Sequence, residues 1–154
     1  MQKARLITYC IMLLSLGFTS FQLATPNPTG TYRLGHYSTK RTGKYFGEIQ
    51  IKQLDGQKIA ISFYVNKGAP SYNSGSFVDT LNCNGDLAIY ATQHDPSCKI
   101  TFKFAKPGVQ VTEQADDFNS GCGFGYAVVA NGFFKRVSTQ VPVMKDIGTG
   151  EKLK

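Results

Sequence analysis

Glu48-Ile49-Gln50-Ile51-Lys52, then Asp55-Gly56, then Ile59-Ala60-Ile61-Ser62-Phe63-Tyr64-Val65, is the stretch that decides the fold. Apolar side chains recur at every second residue on both sides of Asp55-Gly56, the period of a strand with one buried face. Asp-Gly is a two-residue hairpin signal, because glycine accepts the positive φ that such turns require. The same grammar continues along the chain. Asn84-Gly85 separates residues 76–83 from 86–92. Asp95-Pro96-Ser97 leads into Ile100, Phe102 and Phe104, with Lys99, Thr101 and Lys103 on the other face. Lys106-Pro107-Gly108 is a turn by proline and glycine chemistry, after which Val109 and Val111 resume the inward face. Asn131-Gly132 precedes a last strand over residues 133–137, and residues 31–39 supply the first.

Eight or nine short antiparallel strands joined by tight turns predict an all-β domain, either a sandwich or an up-and-down barrel. The two ends favour the barrel. Gly30-Thr31-Tyr32-Arg33 opens the domain and Gly132-Phe133-Phe134-Lys135 closes it, each a glycine followed by an aromatic and a base. Pairing the first strand with the last removes both exposed edges. The expectation is a small lipocalin-like barrel of about eight strands.

Residues 1–24 carry the marks of a secretory signal: Lys3 and Arg5, then an apolar run from Leu6 to Leu14, then small polar residues. An uncleaved anchor is the alternative, but a span needs about 20 apolar residues and Ser15, Gly17, Thr19, Ser20 and Gln22 dilute this one. The predicted organisation is a signal over residues 1–24, a linker over 25–29, a domain over 30–138 and a flexible tail over 139–154. Loss of Lys3 and Arg5 lowers the formal charge from +7 to +5, since every acid lies beyond residue 24. That modest basic surplus suits a cell-envelope glycan or an acidic protein face, in a secreted or periplasmic setting. No RNP-type motif or dense basic patch points to nucleic acid.

Three cysteines follow the signal: Cys83, Cys98 and Cys122. In a meander, successive turns lie at opposite ends of the strands. Cys83 sits at one turn and Cys98 follows the next, so a strand of about 20 Å separates them, against a Cα limit of about 7 Å for a bridge. The chain then returns to the Cys98 end near Ala115, and a short loop carries Cys122 there. The predicted disulfide is Cys98–Cys122, with Cys83 a buried small apolar side chain and a reactive or intermolecular thiol as the alternative.

Candidate chemistry is sparse. His36 and His94 are the only histidines, and neither stands in HxH or HExxH spacing, so no metal site or cofactor is predicted. Asp116-Asp117 are adjacent on a loop and point apart. Gly121-Cys122-Gly123-Phe124-Gly125 lacks both GxGxxG and GK[ST] patterns and reads as backbone geometry around the disulfide, with Phe124 plugging one barrel end. Two loops are candidate contact surfaces: Tyr72, Asn73 and Ser74 between two strands, and Tyr37, Lys40, Arg41 and Lys44 between the first two.

The segments Cys98-Lys-Ile-Thr-Phe-Lys-Phe, Cys122-Gly-Phe-Gly and Asn131-Gly-Phe-Phe-Lys resemble an uncharacterised family of bacterial exported domains. Such domains occur alone or beside others related to lysozyme inhibitors. The resemblance implies a periplasmic or surface β-barrel with Cys98 and Cys122 paired, and no established activity. C-type lysozyme inhibitors are small eight-stranded barrels too. Here Ser74-Gly75-Ser76-Phe77 lacks their loop tyrosine, and Tyr37-Ser38-Thr39-Lys40 precedes it instead of following. Gly30-Thr31-Tyr32 is similar to the Gly-x-Trp start of lipocalins.

Three functions stay open. The first is a non-enzymatic exported binding barrel, lysozyme-type inhibition being one version. The second is a lipocalin-like carrier with Phe63, Phe102 and Phe104 lining its interior. The third, an envelope enzyme, requires His36 or His94 within reach of Cys83 or a carboxylate, and the expectation is that the chain is not an enzyme.

Overall fold

The computed structural model describes residues 27–35, 44–92, 95–150 and 152. Eight strands follow in chain order: β1 (Gly30–Leu34), β2 (Phe46–Gln53), β3 (Lys58–Asn66), β4 (Ser74–Asn84), β5 (Leu87–Ala91), β6 (Lys99–Ala105), β7 (Gly108–Gln114) and β8 (Gly132–Ser138). Each pairs antiparallel with its sequence neighbours, and β1 pairs with β8 to close the barrel. The lipocalin-like up-and-down barrel read from the sequence is the fold.

Alternation does what the period of two demands. Ile49 and Ile51 on β2, Ile59, Ile61, Phe63 and Val65 on β3, and Ile100, Phe102 and Phe104 on β6 all point inward and are buried. An eight-stranded barrel leaves an interior just wide enough for side chains to fill, and here rings fill it. Phe63 lies at the centre, with ring centroids of Phe77, Phe102, Phe124 and Phe134 at 5.2, 5.8, 6.2 and 5.8 Å. Phe124 comes from outside the strands and enters over Gly75. A Cβ at Gly75 would stand 2.2 Å from the Phe124 ring, so only glycine leaves room for that plug.

The two barrel ends differ. At one, the connections are short. The β2–β3 connection holds three residues between the Leu54 N–H and the Lys58 carbonyl, not the two expected, with Gly56 at φ 68°. The β4–β5 turn is Gly85-Asp86, one residue beyond the expected Asn84-Gly85, since Asn84 pairs with Leu87. Tyr32 is tied in at this end. Its hydroxyl donates to the Pro28 carbonyl at 2.6 Å, and the Arg136 guanidinium lies 5.1 Å from its ring. Arg136 Nη2 also donates to the Asn27 and Thr29 carbonyls, which pins the residues just before β1. At the other end lie the long connections, including residues 67–73 and 115–131.

Beyond Ser138 the chain runs along the outside of the barrel. Ser62 Oγ donates to the Lys145 carbonyl at 2.6 Å, and Gly148 lies against Ser76. Gln50 and Ser62 face outward by register, yet both are buried.

Candidate functional site

The long-loop end is built on Asn66, the last residue of β3. Its side chain accepts from the Gly68 N–H at 2.7 Å and donates to the Tyr72 carbonyl at 2.8 Å, so one amide folds residues 67–73 back on themselves. The Tyr72 N–H reaches the Gly68 carbonyl at 2.8 Å, with Tyr72 at φ 53°. Left-handed backbone costs a non-glycine residue roughly 1–2 kcal/mol, and the closed Asn66 network holds it there. Tyr72 is left 52% exposed.

The second loop docks on the first. The Gly125 N–H donates to the Ser74 carbonyl at 2.9 Å. Asn73 Nδ2 and Lys67 Nζ both donate to the Tyr126 carbonyl, at 3.0 and 2.9 Å. Lys67 Nζ also lies 5.5 Å from the Tyr126 ring centroid, and that ring is 68% exposed. The Tyr45 hydroxyl donates to the Ala127 carbonyl at 2.9 Å, while Gly68 packs on the Lys44 backbone. Tyr72, Cys122 and Ala127, the non-glycine residues at positive φ among those described, all belong to this end. Such strain persists only where surroundings over-determine it, and it gathers at functional sites.

Of the seven predicted contact residues, Lys44, Tyr72, Asn73 and Ser74 converge here. Tyr37, Lys40 and Arg41 lie outside the described residues, as do His36 and His94. Tyr126 is the residue that sequence reading missed. The available signal was a tyrosine following glycines at 121, 123 and 125, where a flexible backbone lets a ring stand at a loop tip.

The underside of the docked loop is held by the disulfide and two carboxyls. Cys98 and Cys122 are joined, with Cα atoms 5.0 Å apart. Cys83 is free and buried, and both burial and the charge of Asp86 push its thiol pKa up, opposite to what a nucleophile needs. Asp95 accepts from the Ser97 hydroxyl and N–H, and from the Cys122 N–H at 3.1 Å. These bonds, the Ser97 hydroxyl foremost, hold its carboxyl below the usual range. Glu113 points inward from β7 and is only 4% exposed. Its Oε2 accepts from the Ala130 N–H at 2.6 Å, while Oε1 is buried without a partner. Burial raises its pKa, Ala130 works against that, and the charge of Asp95 adds to the rise.

The signs give a prediction. A raised carboxyl contributes stability in full below its unfolded pKa of about 4.3 and loses it as pH climbs through the folded value. Asp95, shifted down, loses its contribution as pH falls below about 3.9, so the two groups act on opposite sides of the pH scale. Glu113→Gln therefore flattens the alkaline side. Thermal unfolding at pH 4 and pH 8 should show the variant's advantage over wild type widening with pH. Parallel melting curves would contradict this account of Glu113.

Among the described residues, no three of His, Cys, Asp and Glu gather closely enough to hold a metal ion. Nor, among them, is any helix long and apolar enough to cross a membrane. A disulfide is compatible with an oxidising, exported setting. No known protein family, curated protein or solved structure matches this chain.

Proposed function

We propose that this chain is an exported, non-enzymatic binding protein whose recognition surface is the long-loop end of the barrel. One observation carries the reading: two loops from distant parts of the sequence are locked together there, leaving Tyr72 and Tyr126 in solvent, with Lys67 against the Tyr126 ring. Rigid, exposed tyrosines offer contact area at low entropic cost, whether to the face of a sugar ring or to a protein. Lys67 and Lys44 add positive charge suited to an acidic protein face or an envelope polymer. Inhibition of a lysozyme-type hydrolase is one version, supported by the resemblance of the Cys98, Cys122-Gly-Phe-Gly and Asn131-Gly-Phe-Phe segments to exported domains found near such inhibitors. A carrier role draws less support, because Phe63, Phe102 and Phe104 pack against one another and their neighbours, and a guest would have to displace rings.

The test compares wild type with Tyr72→Ala/Tyr126→Ala in two assays: slowing of lysozyme-driven lysis of a cell-wall suspension, and co-sedimentation with purified peptidoglycan. Wild type is expected to act in at least one, and the double variant to lose at least tenfold, about 1.4 kcal/mol. If wild type is inert in both at large molar excess, or if the variant matches it, the reading fails.

A further inference from the structure

The barrel wall has one weak seam. The ladder between β4 and β5 consists of Cys83↔Ala88 and Asn84↔Leu87, whereas β3 and β4 pair along nine positions from Lys58↔Asn82 to Asn66↔Ser74. Continuing the β4–β5 register would set Tyr90 opposite Leu81. Instead the Tyr90 ring stacks on Phe77 with centroids 3.7 Å apart. That is four residues further along β4, about 13 Å of strand. The two strands are splayed, and a ring stack rather than a ladder bridges them.

The backbone groups at the splay can be assigned. The Cys83 N–H donates to Gln57 on the β3 side, so alternation turns the N–H groups of Thr80 and Asn82 toward β5. On the facing strand the Asp86 carbonyl accepts from Phe104 of β6, which leaves Ile89 and Ala91 turned toward β4. Beyond the Ile89 N–H, which the Cys83↔Ala88 pair brings to the Asn82 carbonyl, no ladder pair joins these two sets. A hollow of about 390 Å³ lies between them, reaching Leu81 at its floor.

Two side-chain features mark this edge as distinct from the rest of the wall. Asp79 occupies an inward register position, between Phe77 and Leu81, yet is exposed, because the ladder is open beside it. Its Oδ1 accepts from the Thr80 N–H at 2.7 Å, covering one of the open donors. An inward-register charge is a recognised guard against indiscriminate edge pairing. Across the hollow, β5 turns Leu87 and Ile89 outward, 36% and 44% exposed, where β6 presents Lys99 and Lys103.

We infer that the β4–β5 seam is a β-augmentation site for an extended peptide of another protein, with alternating apolar residues and a basic residue placed to meet Asp79. The open N–H and C=O groups supply the affinity, as in other strand-addition sites. The partner's lysine or arginine takes the Asp79 carboxylate, which frees the Thr80 N–H for a partner carbonyl. Its apolar residues cover Leu87 and Ile89. This site lies on the wall, away from the loop end, and stands whether or not the loop-end reading does.

The probe is a synthetic peptide copying β6, Lys99 to Ala105, whose lysines alternate with Ile100, Phe102 and Phe104. Amide exchange and amide shifts are followed by NMR on the intact mature chain. Saturating peptide is expected to slow exchange at Thr80, Asn82 and Ala91 at least tenfold, with shifts confined to β4 and β5. A peptide N-methylated at alternate residues should bind at least tenfold more weakly, and so should the unmodified peptide toward Asp79→Asn. The methylated peptide keeps the test valid if that variant misfolds. The inference is overturned by no change at ~1 mM peptide, by shifts elsewhere, or by equal binding of the methylated peptide. Changes that depend on protein concentration without peptide would assign the seam to a second copy and overturn it as well.

Discussion

Phe63→Ala is expected to cost about 3–5 kcal/mol of unfolding free energy. The side chain is fully buried and touches rings from four separate parts of the fold: Phe77 on β4, Phe102 on β6, Phe134 on β8 and the Phe124 plug. Alanine leaves a void ringed by aromatic side chains from separate strands and a loop, which relax only in part to fill it, so the cavity penalty adds to the lost transfer energy. Domains of this size have only about 5–15 kcal/mol in hand. Urea denaturation should show a lower midpoint with an unchanged slope. A loss below about 1 kcal/mol would mean the rings do not act as one packed cluster.

Removing the disulfide with Cys98→Ala/Cys122→Ala comes second. The bridge closes a loop of 24 residues, worth about 3 kcal/mol in the loop-entropy account. An opposing effect is present. Cys122 sits at φ 60°, and freeing it to relax returns up to about 1–2 kcal/mol, which leaves a net loss of about 1–2 kcal/mol. The barrel should survive, because its ladders do not involve the bridge. The loop end should suffer more, since Asp95 then holds the Cys122 backbone by one hydrogen bond alone. Circular dichroism should show the strand signal retained, while proteolysis of the native protein should cut first between residues 115 and 131. A loss of strand signal at room temperature would contradict this division of labour.

The loop-end site was half legible. Tyr72, Asn73 and Ser74 could be found because a strand-poor stretch between two alternating runs must be a loop, and loops on a rigid barrel meet partners. Glycines at 121, 123 and 125 marked Tyr126 as standing on a pliant loop, but its exposure depends on Lys67 and Asn73, 59 and 53 residues earlier, holding its carbonyl. Glu113 also escaped notice. Alternation from Val109 and Val111 points it inward, but its burial depends on the loop that folds over it and donates the Ala130 N–H. Gln50 and Ser62 show the reverse error. Their period marks them as outward, and it is right, but both are buried, Ser62 beneath the chain beyond Ser138.

What the sequence alone determined was whatever rests on neighbours in the chain: the period of two, the turn positions to within a residue, the inward isoleucines, and the Cys98–Cys122 pair, which follows from which turn each cysteine stands beside. Tertiary structure alone decided how the ends and the wall finish. It placed Phe124 over Gly75, raised Tyr126 beside Lys67, and left β4 and β5 joined at two positions. Those outcomes depend on contacts between residues far apart in sequence, and strand alternation carries no information about which distant segment will arrive to cover, brace or leave open a given edge.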